Sequence, residues 1–399
     1  MKVVRILAKN KVILFILIAI LFEPILCIKV TILNAIYILG AVVALLYALY
    51  AYYTTRKKIS KLLWVVILYR ILLLIPTIIY DGGDLLKWGY LSVIIVALYM
   101  ILSLHMENEC VQTITILSNI FLVLTTLNLL SYIFFPNGLY YDADRYSQLY
   151  FLGIRTRFTD YAFVSIVLLM LEYTLNKNKR KLVKVIIFGI VALLNIILPE
   201  ITTGIIAVIS FTLLILLYKI KNITRLITYN RIITFAIILN LGIVVFHIQD
   251  NFEWILENYF NKSVSLTGRT EIWNLSWEHI KETPILGHGI RNDGSFVKWN
   301  GTMWQGHNQI IQTLYDGGIA GILLVLLIIY GSGKKLSKLE NKRIKIILTS
   351  SIFAYMIMMI SEISMYYLPV FLLLFMAENS ENFNESEGKN ESRNICSNS

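Results

Sequence analysis

Long apolar blocks separated by short polar segments are the main pattern along this chain. Because lipid offers a backbone amide no hydrogen-bond partner, a segment crosses the hydrocarbon core as a helix of roughly 20 mostly apolar residues. The pattern therefore predicts an all-α, polytopic transmembrane helical bundle with about 12 spans. The predicted spans lie near residues 12–28, 30–53, 62–80, 88–104, 110–134, 159–175, 182–198, 202–218, 232–248, 318–332, 345–361 and 364–377.

Composition and charge fit a membrane protein. Of the 399 residues, 57% are hydrophobic and only 15% are charged. The net charge of +11 could suggest nucleic acid, but most of the 36 Lys and Arg lie in alternate segments between spans, such as 177–184 and 334–345. By the positive-inside rule, these segments and both termini are cytoplasmic. The predicted membrane topology therefore explains the net positive charge, and we expect no nucleic-acid partner.

Two segments lie outside the predicted spans. Residues 249–316 form a predicted extracytoplasmic loop, long and polar enough for a small folded unit that carries function. Residues 378–399, rich in Asn, Ser and Glu, are predicted to be a disordered cytoplasmic tail. Five of the seven tryptophans fall in the loop, where their rings could pack against sugars or form an interfacial aromatic belt. These are Trp254, Trp273, Trp277, Trp299 and Trp304.

The spacing within the loop predicts an amphipathic helix over residues 270–283, ended by Pro284. Its apolar face is made of Ile272, Trp273, Trp277 and Ile280. Arg269 stands at the start of this helix, where free backbone N–H groups already favour an anion. Its guanidinium could grip a diphosphate in a bidentate manner, or it could be a surface arginine in a turn.

A second helix is predicted after His307 and Asn308, with His307, Ile310, Ile311 and Leu314 spaced for one face. It ends at Gly317–Gly318, where the next span begins. This placement would hold His307 at the outer mouth of the bundle. There its imidazole could take a proton from a sugar hydroxyl near neutral pH, or it could be a structural histidine.

Four short runs in order give the chain a specific resemblance. They are Gly268–Trp273, Pro284–Gly289, His307–Asn308 and Gly318–Gly321. Together they resemble the signature of the O-antigen ligase and polymerase superfamily of bacteria, and they sit in an outer loop before a late span as that family requires. Span number and loop position extend the resemblance over most of the chain.

The resemblance implies glycosyl transfer at the outer face of the bacterial inner membrane, from an oligosaccharide on a polyprenyl diphosphate. Polymerases transfer the growing chain to another lipid-linked repeat unit, and ligases transfer it to a lipid A core. In this family's pattern Arg269 would engage the diphosphate and His307 would act at the acceptor hydroxyl. The motif glycines would be Gly287, Gly289, Gly318 and Gly321. A chain-length regulator protein is a further partner that the family implies.

The chain departs from the family pattern at one point. Many members carry a Ser-Arg pair where this chain reads Glu200–Gly204, without an arginine. Arg155, Arg157 and Arg70 are therefore candidates for a second diphosphate-binding cation. Because an ionised group inside a span is costly, Arg70 has either a functional role or a salt bridge to an acid such as Glu23 or Glu172.

The chemistry is consistent without a metal or another cofactor. A diphosphate is already a good leaving group, so arginines that stabilise its developing charge would suffice. The acceptor hydroxyl needs a base, for which Asp316 and Glu271 are alternatives to His307. The three cysteines have no metal-ligand spacing. A transporter of the same lipid-linked glycan remains the rival of a different class, although alternating access does not require a large loop with a motif histidine.

Overall fold

The structure is a computed structural model that describes residues 10–142, 147–220, 227–246, 248, 268–291 and 294–384. In these residues the architecture is a helical bundle with two small antiparallel hairpins. The helices are α1 (Lys11–Ala19), α2 (Ile25–Ile28), α3 (Thr31–Thr55), α4 (Lys61–Ile79), α5 (Leu85–Phe134), α6 (Phe158–Leu175), α7 (Lys179–Ile197), α8 (Thr202–Leu217), α9 (Tyr229–Phe246), α10 (Arg269–Glu282), α11 (Gln309–Ser332), α12 (Lys342–Met358) and α13 (Leu368–Glu378). The hairpins pair β1 (Tyr140–Asp142) with β2 (Ser147–Leu149) and β3 (Val297–Trp299) with β4 (Thr302–Trp304).

Six helical segments among the described residues are long and apolar enough to cross a membrane. They are Thr31–Thr55, Lys61–Ile79, Leu85–Phe134, Arg155–Leu175, Tyr229–Phe246 and Gln309–Lys338. Their outward faces expose large apolar side chains, such as Leu39 and Leu46 of α3. Contiguous apolar surface of this kind is stable when lipid covers it. The predicted all-α polytopic fold is therefore confirmed, while the number of twelve spans stays a prediction.

Helix α5 carries two of the predicted spans, 88–104 and 110–134, in one run of 50 residues. At about 1.5 Å per residue, such a run is more than twice as long as the roughly 30 Å hydrocarbon core. Its backbone leaves helical geometry at Glu109, which divides it between the two predicted spans. The first predicted span, 12–28, is instead two short helices, because Pro24 lacks the N–H that a continuing helix needs.

The described part of the long loop folds into a small unit with its own core. The predicted amphipathic helix is present as α10, and it buries Ile272, Trp273 and Ile280. These side chains pack against Val297 in strand β3 and against Phe296 just before it. They also pack against the first half of α11. The loop unit therefore fixes the start of α10 relative to the start of α11.

The tryptophans of this unit contribute to its core. Trp273 lies inside the core, whereas Trp299 and Trp304 are partly buried and pack against it. Trp273 is fully buried, and its indole N–H donates a hydrogen bond to the Gly306 carbonyl at 3.0 Å. Trp299 and Trp304 meet edge to face, with ring centroids 5.9 Å apart. Trp254 lies outside the described residues. Packing inside the loop thus accounts for Trp273 without a sugar contact or an aromatic belt.

Helix α11 is broken at Gly318, whose φ of 59° and ψ of −159° are not helical. A break inside a helix leaves carbonyl and N–H groups without their usual partners. Here the segment that follows α10 provides those partners on both sides of the break. The four hydrogen bonds are His288 N–H to Tyr315 O (2.7 Å), Gly289 N–H to Asp316 O (2.8 Å), Ile319 N–H to Pro284 O (2.9 Å) and Ala320 N–H to Ile285 O (3.1 Å).

The motif glycines make this close contact possible. Each of Gly287, Gly289 and Gly318 has a positive φ, a conformation that side chains disfavour. A Cβ on Gly289 would lie 2.3 Å from the Thr77 backbone N at the end of α4, and one on Gly318 would lie 2.3 Å from the Ile285 carbonyl. The segment after α10 can therefore lie between α4 and the broken α11 only if these positions lack side chains.

The start of the predicted disordered tail is ordered. Glu378 is the last residue of α13, and the Phe383 side chain is fully buried. The Lys335 ammonium lies 3.6 Å from the Glu378 carboxylate and 3.8 Å from that of Glu381. The prediction of disorder is therefore wrong for residues 378–384, because one aromatic side chain and these ion pairs hold them. Residues 385–399 lie outside the described residues.

We predict that Gly289→Ala destabilises the protein much more than Gly301→Ala does. Both glycines have φ near +80°, so each substitution brings about 1–2 kcal/mol of backbone strain. Only Gly289 also faces backbone atoms, whereas a Cβ added at Gly301 would have no other atom within 4 Å. The midpoint of thermal unfolding in detergent measures the difference. Equal midpoints for the two variants would contradict the proposed packing role of Gly289.

Candidate functional site

His307 lies in the turn immediately before α11. The helix begins after it because the Asn308 side chain accepts the N–H groups of Ile310 (2.8 Å) and Ile311 (3.0 Å). The expected position of His307 on a face of this helix is therefore wrong. Its backbone is instead left-handed, with φ 44°, and its ring lies 5.6 Å from that of Trp304. The side chain is partly exposed.

Asn308 fixes this turn to the rest of the bundle. Its Nδ2 group donates to Asn240 Oδ1 in α9 at 2.8 Å and to the Ile360 carbonyl at 2.9 Å. Asn308 is fully buried, and the Gln309 N–H donates to the Met359 carbonyl at 3.0 Å. A left-handed non-glycine residue costs roughly 1–2 kcal/mol, so the surrounding contacts must hold His307 in this conformation.

Arg269 is the first residue of α10, as the sequence predicts, but its guanidinium has a partner there. Its NH2 group lies 3.3 Å from Glu362 Oε1. Glu362 belongs to the segment of residues 359–367 that connects α12 to α13, which we call the linking segment. The sequence analysis did not identify Glu362. The sequence did contain an indication of its importance. Glu362 is an acidic residue in the two-residue gap between the predicted spans 345–361 and 364–377, and a carboxylate is costly at such a position.

Arg157 reaches the same linking segment from the start of α6. It donates to the Ile363 carbonyl at 3.0 Å, and its guanidinium carbon lies 3.8 Å from the Tyr367 ring centroid. Its NH1 group also lies 3.5 Å from Asp160 Oδ2. Arg157 is buried, and it interacts electrostatically with Glu362. The linking segment thus brings Arg157 and Arg269 to one place.

His307 completes this group, as its electrostatics indicate. Burial, and after it the positive charges of Arg269 and Arg157, lower the pKa of His307 to about 3. The imidazole is therefore neutral at physiological pH and can accept a proton. This pKa is far below the titration near neutral pH that we expected, because burial disfavours the charged imidazolium and, to a smaller extent, the two arginines oppose a third positive charge. We call Arg157, Arg269, His307 and Glu362 the arginine–histidine site.

Comparison with known proteins finds a similar family. Residues 149–326 match the model of a family described as O-antigen ligase. This match and the similarity to the two relatives below support the O-antigen ligase and polymerase superfamily. The matched region includes Arg157, Arg269 and His307, whereas Glu362 lies beyond it.

Two curated relatives of this chain carry the name "Putative polysaccharide ligase". The relative from Rickettsia conorii is 34% identical over 103 residues, which is 23% of this chain and 25% of the relative. The relative from Rickettsia felis is 27% identical over 101 residues, which is 22% of this chain and 25% of the relative. The chain therefore aligns with about a quarter of the length of each relative.

The two other candidate cations, Arg155 and Arg70, form no contact with the arginine–histidine site that the described residues show. Arg155 is exposed, at the start of the short 3₁₀ turn that ends with Arg157.

Arg70 is buried on α4 and donates to Ser92 Oγ at 2.9 Å and to the Trp88 carbonyl at 3.0 Å, both on α5. No ion pair joins Arg70 to Glu23 or Glu172 among the described residues, and each of these acids has another partner. Glu23 accepts from Tyr90, and Glu172 pairs with Lys181 and Lys184.

The two alternative bases are less suitable than His307. Glu271 is exposed on the outer face of α10. Asp316 is buried at the α11 break, and its oxygens accept from the Tyr366 hydroxyl at 2.5 Å and from Gln312 Nε2 at 3.0 Å. The described residues contain no group of three His, Cys, Asp or Glu side chains that could hold a metal ion.

We predict that Arg269→Gln raises the pKa of His307. The substitution removes one positive charge that disfavours the imidazolium, but the pKa stays below its ordinary value because burial is the larger cause. Histidine-labelled protein titrated by NMR measures this, with His307→Asn to assign the signal.

Lys281→Gln is the matched control. It removes one positive charge from an exposed position on the same helix, α10, and it should leave the His307 titration unchanged. An identical His307 pKa in Arg269→Gln and in the unmodified protein would show that the two side chains are not coupled.

Proposed function

We propose that this chain polymerises lipid-linked repeat units of a bacterial surface polysaccharide such as capsule, O-antigen or exopolysaccharide. In this proposal it is a glycosyltransferase that takes the glycan from a polyprenyl-diphosphate-linked oligosaccharide. The observation that carries the proposal is the convergence of Arg157, Arg269 and a neutral His307 at one site. The proposed location is the bacterial inner membrane, with both termini cytoplasmic and the arginine–histidine site facing out.

In this mechanism the two arginines bind the donor diphosphate. Guanidinium groups match phosphate oxygens in a bidentate geometry, and they stabilise the charge that develops as the diphosphate leaves. Arg269 is paired with Glu362, and Arg157 lies near Asp160. The donor would therefore displace Glu362 from Arg269. The affinity for the donor then depends on how much more favourable the Arg269–diphosphate interaction is than the Arg269–Glu362 interaction.

His307 would then act as the base for the acceptor. As the acceptor hydroxyl attacks the anomeric carbon, the new C–O bond forms, the bond to the diphosphate breaks, and the hydroxyl proton passes to His307. A pKa of about 3 makes His307 a weak base by itself. The negative charge of a bound diphosphate offsets the two arginines and raises the His307 pKa, so donor binding would prepare the base.

A ligase is the second candidate, and a specific observation favours it. The matched family is described as O-antigen ligase, and both relatives are named as polysaccharide ligases. The two activities share the donor and differ in the acceptor, which is a second lipid-linked repeat unit for a polymerase and a lipid A core for a ligase. The arginine–histidine site fits either activity. A transporter has less support, because alternating access gives no role to a neutral histidine that two arginines affect electrostatically.

We predict that the purified protein, reconstituted in lipid vesicles with a lipid-linked repeat unit and no lipid A core, forms a ladder of products. A polymerase needs no other acceptor, whereas a ligase has none under these conditions. Gel electrophoresis of a radiolabelled glycan measures the result. A ladder that appears only after a lipid A core is added would instead assign a ligase.

We also predict that His307→Asn and Arg269→Ala abolish chain elongation, reducing the rate at least about 100-fold, without unfolding the protein. Asn tolerates the left-handed backbone of residue 307, so loss of activity in this variant reflects the imidazole and not backbone strain. Product length and thermal unfolding are measured on the same preparations. Lys281→Gln, at an exposed position on α10, is the control. Polymer of normal length from both variants would refute the site assignment.

A further inference from the structure

The ion pair between Arg269 and Glu362 connects two parts of the fold that are far apart in the sequence. The Arg269 NH2 group at the start of α10 lies 3.3 Å from Glu362 Oε1 in the linking segment. The Glu362 carboxylate also interacts electrostatically with Arg157. Glu362 therefore attracts both arginines that we assign to the donor diphosphate.

Glu362 is the carboxylate of this site that a ligand would meet first. Asp160 lies in the first turn of α6, and its side chain and that of Arg157 are only 5% and 6% exposed. The Arg269 side chain is 22% exposed, and that of its partner Glu362 is 9% exposed. An anion that approaches from solvent therefore has better access to the Arg269–Glu362 pair than to the Arg157–Asp160 pair.

The backbone of the linking segment is held without the Glu362 side chain. The Gln309 side chain accepts the N–H groups of Ser364 and Met365, each at 2.9 Å. The Gln309 backbone N–H donates to the Met359 carbonyl at 3.0 Å. Because these hydrogen bonds fix the segment on both sides of Glu362, a substitution of this side chain should alter the charge beside Arg269 and leave the backbone in place.

The proposed reaction leaves a product that binds cations more strongly than the donor does. As the acceptor oxygen bonds to the anomeric carbon, the bond to the diphosphate breaks, and its electron pair goes to the terminal oxygen of the leaving polyprenyl diphosphate. His307 takes the acceptor proton, which it then loses to water. The new terminal phosphate has one more ionisable oxygen, with a pKa of about 6, so the product carries more negative charge than the donor at neutral pH. Two arginines would therefore hold the product more tightly than the donor.

We propose that Glu362 is a positioning residue that promotes release of the polyprenyl diphosphate product by competing with it for Arg269. This inference rests on the proposed function. Glu362 acts through Arg269 and does not contact the reacting atoms. A carboxylate beside Arg269 opposes every anion that binds there, and the opposition grows with the charge of that anion. Glu362 therefore weakens binding of the product more than binding of the donor.

A purely structural role of Glu362 would give the opposite result. If the ion pair only fixed α10 to the linking segment, its removal would loosen the site and weaken the binding of an anion. If Glu362 competes with the product, its removal leaves Arg269 to the ligand and strengthens that binding. The direction of the change in affinity therefore distinguishes the two roles.

The first test measures the binding of farnesyl diphosphate, a short polyprenyl diphosphate, to the purified full chain by isothermal titration calorimetry. Glu362→Gln should lower the Kd at least about tenfold, and Arg269→Gln should raise it. Glu278→Gln removes the same charge from an exposed position on α10 and should leave the Kd unchanged. An unchanged or higher Kd in Glu362→Gln would overturn the proposal, whereas an unchanged Kd in Arg269→Gln would overturn the donor assignment of the proposed function.

Thermal unfolding of each variant checks that it is folded. If Glu362→Gln does not fold, Glu362→Asp decides, because its shorter side chain keeps the charge but draws it away from Arg269. Glu362→Asp should lower the Kd for farnesyl diphosphate by a smaller factor, about threefold. An unchanged Kd in that variant overturns the proposal.

The second test follows transfer over time, with polymer on the polyprenyl lipid as donor and the acceptor that the reconstituted protein uses. The first turnover of Glu362→Gln should be as fast as that of the unmodified protein, and its later turnovers at least about tenfold slower, because the product stays bound. Glu278→Gln should behave as the unmodified protein does. Equal rates of first and later turnovers in Glu362→Gln, or a slow first turnover, would overturn the proposal. Loss of transfer in His307→Asn would still support the proposed function, so the two proposals can fail separately.

Discussion

The hydrogen bonds across the break in α11 are the constraint on which the rest of the site depends. A backbone N–H or carbonyl without a partner costs several kcal/mol at membrane depth, so a broken helix is stable only where protein replaces the lost bonds. The segment of residues 284–289 does this with two donors and two acceptors. It can approach because Gly287, Gly289 and Gly318 have no side chains. The same contact joins the end of α10 to α11 and so fixes Arg269 relative to His307.

The charges of the arginine–histidine site are balanced by its own carboxylates. Two arginines that are largely removed from water would repel each other strongly without an anion between them. Asp160 and Glu362 provide that charge. In the proposed mechanism a donor diphosphate would therefore replace an internal anion and would not enter an uncompensated cation pair. This arrangement would make binding weaker than the arginines alone would allow.

The sequence predicted what local periodicity and short motifs encode. The apolar spacing of Ile272, Trp273 and Ile280 is a property of one helix, and α10 is present with those side chains buried. Contacts between distant residues could not be derived in this way. Arg269 meets Glu362 across 93 positions and Arg157 meets Ile363 across 206. The left-handed backbone of His307 follows from the Asn308 cap, whose partners on α9 and after α12 no spacing rule indicates.

The extent of the family match has a consequence for specificity. The match covers residues 149–326, which contain Arg157, Arg269 and His307, the groups assigned to the donor and the base. In the proposed function a polymerase and a ligase share the donor, so residues that bind the donor cannot distinguish the two activities. Glu362, which pairs with Arg269, lies beyond the matched region. The matched region therefore contains the proposed donor arginines and the proposed base, but not the carboxylate that the donor would displace from Arg269.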